Sequence, residues 1–190
     1  VRPRAAQRMS EPRSWRTLLG GLSFLKREQT VLAAITLDLF AGRYARGLGI
    51  DVNQAMLAYA RAKLTRGGHA HAQVRHGDIY ALSLADRQAD AIVMHQVLHF
   101  LSDPALAIRE AARVLAPGGR LLIVDFAPHT LEFLRDVEAH ERLGFAHETV
   151  TTWLRDAGLN PKSVRDLAPK SDDTGDKLTV TLWLAERIDT

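Results

Sequence analysis

Residues 90–126 read DAIVMHQVLHFLSDPALAIREAARVLAPGGRLLIVDF, and this stretch holds a strand, a helix and a second strand in that order. Ala91–Gln96 is an apolar run of strand length. Ser102-Asp103-Pro104 then supplies a cap residue and a proline suited to a first helical turn. The helix is predicted over Pro104–Leu115 and stops before Pro117-Gly118-Gly119. Arg120–Phe126 follows as another apolar run. Strands alternating with helices argue for an α/β protein with a mostly parallel sheet.

The same alternation extends outward. Further apolar runs lie at Ala34–Leu39, Gly47–Val52, Gln73–His76 and Leu178–Ala185. Asn53–Leu64 reads as a helix with an asparagine cap and Met56, Leu57, Ala60 and Leu64 on one face. Two more helices are predicted over Thr130–Leu143 and over His147–Ala157, the latter ending at Gly158. The last strand, Lys177–Glu186, places Leu178, Val180, Leu182 and Leu184 inward. It follows the turn-rich stretch Pro169–Asp176, so it is expected as the antiparallel hairpin partner of an edge strand. The expected fold is thus a doubly wound α/β domain over residues 31–190, mostly parallel with an antiparallel C-terminal strand. One interval breaks the pattern. Between the strands ending near Leu39 and starting near Gly47 stand about eight residues, fewer than the dozen a parallel crossover needs. Either those strands are antiparallel or residues are missing there.

Composition bounds the function. The 190 residues are 46% apolar and 25% charged, which excludes a disordered, collagenous or coiled-coil chain. No apolar run reaches the roughly 18 to 20 residues of a membrane span. With no cysteine, thiolate metal sites, disulfides and cysteine nucleophiles are excluded within this chain, and a cytoplasmic setting fits. Residues 1–28 carry seven basic side chains against two acidic ones, within a net charge of +3 overall. Residues 1–30 are therefore read as a basic, solvated arm or helical extension; nucleic acid is not the expected partner.

The polar residues gather at strand tips. Asp51 ends Gly47-Leu48-Gly49-Ile50-Asp51-Val52 just before a capped helix, where an acid can accept both hydroxyls of a ribose or simply favour the helix dipole. Arg75-His76-Gly77-Asp78-Ile79 is a second tip, with a glycine that lets backbone approach a ligand. Asp78 can accept from an exocyclic amine there. A third tip carries His95 and His99, four apart, without a third ligand at metal-site spacing; no metal is expected. No Gly-x-Gly-x-x-Gly precedes Asp51 and no Tyr-x-x-x-Lys occurs, which disfavours a nicotinamide-dependent oxidoreductase.

In order and spacing, Leu37-Asp38-Leu39, Gly49-Ile50-Asp51, Gly77-Asp78-Ile79, Asp90–Leu101 and Leu115–Asp125 resemble the class I S-adenosylmethionine-dependent methyltransferases. The likeness covers residues 31–126, and the last strands fit over 146–186. Asp90–Leu101 and Val124-Asp125-Phe126-Ala127-Pro128-His129 look like bacterial modules found alone or behind an arsenic-repressor-type winged-helix regulator. The resemblance implies a Rossmann-like fold, S-adenosylmethionine as cofactor, and methyl transfer to a small-molecule acceptor, with a homodimer compatible. It implies that Asp51 binds the ribose and that Asp78 and Ile79 meet the adenine, with Gly49, Val52 and Gly77 also binding the cofactor. Asp38 would orient the methionine end and His95 would lie beside the sulfonium. If the acceptor needs a base, His95, His99, His129 and His140 are available, and His129 is the first choice because it follows a buried strand tip. One departure stands out: the family's glycine-rich loop after the first strand is absent, because Leu37-Asp38-Leu39 runs straight into Phe40-Ala41-Gly42. Residues are therefore expected to be missing between Leu39 and Phe40, and near Ile35-Thr36. A complete chain without that loop would instead fit a non-catalytic, degenerate methyltransferase fold acting as a binding or regulatory module.

Overall fold

A computed structural model describes residues 45–168 and 178–188. The basic arm at 1–30, the strand at Ala34–Leu39, Asp38, and the junctions at Ile35-Thr36 and Leu39-Phe40 all lie outside the described residues.

Six strands and four helices are formed among those residues. They are β1 (Gly47–Asp51), α1 (Gln54–Arg66), β2 (Ala72–His76), β3 (Ala89–His95), α2 (Pro104–Val114) and β4 (Leu115–Phe126), followed by α3 (Phe133–Glu138), α4 (His147–Asp156), β5 (Leu159–Leu167) and β6 (Val180–Arg187). A single 3-10 turn, Leu98–Phe100, separates β3 from α2. β1 and β2 form one parallel ladder, and a four-stranded sheet runs β3-β4-β6-β5. β3 is parallel to β4, whereas β6 runs antiparallel to both β4 and β5. The expected reversed final strand is therefore present, in a sheet that is mixed among the described residues.

Local sequence explains most of these elements. The Asn53 side chain accepts from the amides of Ala55 and Met56, capping α1, and Met56, Leu57, Ala60 and Leu64 are its buried residues. Asp103 accepts from the Leu106 amide with Pro104 in the first turn of α2. At the other end of α2, the Arg187 guanidinium donates to the carbonyls of Ala112, Arg113 and Leu115, satisfying a helix C-terminus from a strand distant in sequence. The main core joins α2, α4 and the four-stranded sheet through Leu98, Ile108, Leu121, Ile123, Val150, Leu154 and Trp183.

Two expectations are corrected, and one strand not read from the sequence is added. The helix predicted over Thr130–Leu143 is confined to Phe133–Glu138, because Ala139 adopts a left-handed conformation (φ 55°) and ends it. The following backbone is spent on tertiary bonds: the amides of Glu141 and Arg142 donate to the His99 carbonyl, and Phe145 donates to Phe126. On β6 the fully buried side chains after Val180 are Thr181, Trp183 and Ala185, while Leu182 and Leu184 are only partly buried. Finally, the edge partner of β6 is β5, whose sequence LNPKSVRDL is too polar to register as an apolar run. Its proline and a register shift at Pro161/Ser163 are features that edge strands tolerate.

Candidate active site

Two groups of residues meet at the carboxyl ends of the parallel strands. The first sits at the tips of β1 and β2. Asp51 is in register with His76, and the Gly77 amide donates to the Asp51 carbonyl at 3.2 Å. Asp51 and Asp78 therefore share one end of the sheet. Asp51 Oδ1 accepts from the Asn53 amide at 2.8 Å, and its other oxygen has no partner among the described residues. Val52 is 63% exposed beside it. Gly49 lies within β1, opposite Val74 and two residues short of the tip. A Cβ on Gly77 would stand 2.8 Å from Ile50 Cγ2, so a larger residue there would have to displace the Ile50 side chain. Asp78 Oδ1 accepts from the Tyr80 amide at 2.9 Å, closing a turn that presses Ile79 and Tyr80 against the main core.

The second group is formed by β3, β4 and the loops that follow them. His95 ends β3 opposite Val124, and Gln96 turns the chain with φ 48° while its amide donates to the Val124 carbonyl. The 3-10 turn then delivers His99 onto Asp125, with Nδ1 and Oδ1 2.7 Å apart. Asp125 is fully buried and also accepts from the amides of Leu98 and Phe126. Around His99 lie Phe100 (ring centroids 4.1 Å apart), His140 (4.2 Å) and Phe126 (5.0 Å). His129 approaches Phe126 edge-on at 6.0 Å. His95 Nδ1, His129 Nε2 and His140 Nδ1 are buried and have no hydrogen-bond partner among the described residues.

Burial sets the protonation of these imidazoles. It lowers the pKa of His95, against the pull of Asp125. His129 is also lowered, by burial first and then by His99 and Arg135. His140 is lowered to about 4, by burial and then by His99 and His129. All three are therefore neutral at pH 7. The two groups are linked through the Tyr80 hydroxyl, 3.2 Å from Ser102 Oγ and accepting from the Asp103 amide, while Arg142 donates to the Ser102 carbonyl.

Of the residues expected from sequence, the structure brings together Asp51, Val52, Gly77, Asp78 and Ile79, and separately places His95 and His129 around Asp125. Sequence reading named His99 and His140 only as available bases and missed their arrangement. His99 and Asp125 are 26 residues apart and meet only because β3 pairs with β4. His140 lay in a stretch read as helix. No cluster of three or more His, Asp or Glu able to hold a metal ion occurs among the described residues.

Comparison with known proteins gives this arrangement a relationship. Residues 32–123 match the family profile described as a methyltransferase domain. Over that span the chain is similar to a methyltransferase domain. The ubiquinone/menaquinone biosynthesis C-methyltransferase UbiE of Klebsiella pneumoniae is 34% identical over 129 residues, covering 63% of this chain and 51% of that protein. The chain spans about half the length of the curated relatives it matches over the longest stretches. The YcgJ protein of Bacillus subtilis superposes with a TM-score of 0.71 at 16% identity, over 93% of this chain and all of that one. Geranyl diphosphate C-methyltransferase of Streptomyces coelicolor, solved with S-adenosyl-L-homocysteine, superposes at 0.68 and 16% identity over 84% of this chain and 69% of that one. At those identities the likeness establishes the Rossmann-like fold alone. No helix among the described residues is long and apolar enough to cross a membrane.

Proposed function

We propose that this methyltransferase domain transfers a methyl group from S-adenosylmethionine to an uncharged small-molecule acceptor. The observation that carries the reading is the Asp51 tip, with one carboxylate oxygen that has no partner among the described residues, beside the turn at Gly77 and on the strand ends that also lead to the histidines. When bound, S-adenosylmethionine supplies an electrophilic methyl group on a positively charged sulfur. The residues present fit it. The open oxygen of Asp51 accepts from ribose hydroxyls, exposed Val52 offers an apolar surface to the nucleoside, and Asp78 with Ile79 lines the adenine side. Asp38 is assigned to the methionine end by resemblance and lies outside the described residues. His95 is assigned to the sulfonium side, where a neutral imidazole adds no repulsion. His129 is assigned to the acceptor side, beyond the end of β4. What remains for the protein is positioning of donor and acceptor in line.

Calorimetric titration with S-adenosylhomocysteine tests the reading. The chain should bind it, and Asp51→Ala should weaken binding by about 1–3 kcal/mol, the cost of leaving buried hydroxyls without a charged acceptor. Absence of binding to the wild-type chain would leave the alternative raised by the Leu37–Gly42 sequence, a degenerate fold without catalysis.

A further inference from the structure

We propose that the face built by α1 and β2, with the groove between them, holds a single strand of nucleic acid by its phosphates. The inference goes beyond the methyl-transfer reading and does not depend on it.

Charge is the first observation. Residues 46–77 hold five basic side chains and one acid, whereas residues 78–168 hold nine basic and thirteen acidic ones. The two stretches also differ in how their cations are placed. In the second, Arg113, Arg135, Arg155 and Lys162 each lie within salt-bridge reach of a carboxylate. In the first, Arg46, Arg61, Arg66 and Arg75 are exposed and meet no carboxylate among the described residues. Arg66 donates to the Ala62 carbonyl of its own helix, and Arg75 to the Gln73 side chain, both at 3.3 Å. Arg66 stands in the last turn of α1, where a cation favours the helix dipole. Arg61 lies more than a turn from that end and Arg46 precedes β1, so the dipole accounts for neither. The Gly47 amide donates to the His71 carbonyl at 2.9 Å, which sets Arg46 at the same end of the ladder as the turn after α1. Sequence alone points to no nucleic-acid partner because Arg46 and Arg66 share that end only in the fold.

Shape is the second observation. A groove of about 540 Å³ opens between the second half of α1, the turn after it and the start of β2. Leu64, Ala72 and Val74 give it apolar walls, while Arg61, Thr65 and His69 give it polar groups, and none of its described lining residues is acidic. Among the described residues β2 bonds only to β1, so the groove runs beside an edge strand. A groove of that volume admits one strand, and a duplex is too broad to enter it. Guanidinium and imidazole planes stack on bases, and cations around the groove meet a phosphate at every nucleotide. An anionic membrane fits less well, because Leu64 and Val74 are 4% and 8% exposed and do not project for insertion. Residues 1–28 carry the same sign of charge as this face and are no complement to it. Ala72–Val74 begin β2, whereas Asp51 aligns with His76 at its other end, so a strand held here leaves the Asp51 tip open.

The probe is a fluorescein-labelled, mixed-sequence single strand of about twelve nucleotides, within the site size of such surfaces, titrated with the full chain and read by anisotropy. Saturable binding that weakens with salt is expected, each phosphate contact adding about 0.7 to the slope of log affinity on log salt. Arg46→Gln with Arg61→Gln should weaken binding about ten-fold and lower that slope by about 1.4, the share of two contacts. Thr65→Trp, which fills the groove without changing charge, should weaken binding by a similar factor. Arg155→Gln, which removes a paired cation from α4, should leave binding unchanged. All four positions are exposed, so the variants keep the fold. Absence of saturable binding, or wild-type affinity in Thr65→Trp, would overturn the inference. So would wild-type affinity in the double arginine variant, which assigns binding to residues 1–28. Tighter binding of the matching duplex, or equal capture by phosphatidylglycerol vesicles, would overturn it as well. Displacement of the probe by equal concentrations of polyglutamate would make an acidic protein the partner instead, and displacement by inorganic phosphate a free-ion site.

Discussion

At the scale of single residues, the neutral histidines tie the site to pH. His140 is held at about 4 against an ordinary 6.5, and His95 and His129 are lowered in the same direction by burial. A histidine depressed on folding binds fewer protons in the native chain than in the unfolded one over the interval between those values. The stability it contributes is complete above about pH 6.5 and is lost as pH falls toward 4. His140→Phe keeps a ring against His99 and Phe126 and removes one titration. Urea midpoints measured from pH 7.5 to 4.5 should therefore fall less steeply in this variant than in the wild type; equal slopes would reject the assignment. The legibility of residues divides along the same line. Asp51, Gly77 and Asp78 were readable because a strand tip and its turn are contiguous in sequence. The His99–Asp125 contact is created by strand pairing, and no spacing rule links positions 26 apart.

At the scale of elements, caps and amphipathic faces carried the sequence reading of α1 and α2 to within a residue or two of their ends. The failures have a common cause. Loop 139–146 and β5 are fixed by partners distant in sequence rather than by local pattern. Gly144 shows how tightly. It has φ 82°, and a Cβ there would stand 2.1 Å from the Ala127 carbonyl oxygen. Its neighbour Leu143 receives the His129 amide at 3.0 Å, so the glycine holds the loop against the backbone that presents a site histidine. Gly144→Ala should cost about 2–3 kcal/mol in urea unfolding, from backbone strain and the clash together. Gly158, also at positive φ but with open space around it, should accept alanine at a smaller cost. If the two substitutions proved equally mild, the close packing of loop 139–146 on β4 would be wrong.

For the molecule as a whole, the Tyr80–Ser102 contact ties the turn after β2 to the loop that leads into α2, and so joins the β1–β2 ladder to the body that carries the four-stranded sheet. A ligand bound to the folded chain alone must stabilise it. S-adenosylhomocysteine at about one hundred times its Kd should add about 2.7 kcal/mol, read as a raised Tm, and Asp51→Ala should show a smaller shift at the same concentration. The α/β class and the reversed last strand were visible in the alternation of the sequence; the sheet order was not, because order depends on which edges meet. That order has a consequence for synthesis. β6 is the last described strand to leave the ribosome, yet it lies between β4 and β5 and bonds to both. Until it is made, β4 and β5 each present an unpaired edge to neighbouring nascent chains. The emerging protein is thus most prone to aggregate in the interval before Val180–Arg187 is translated, and a chaperone that shields those edges would act there.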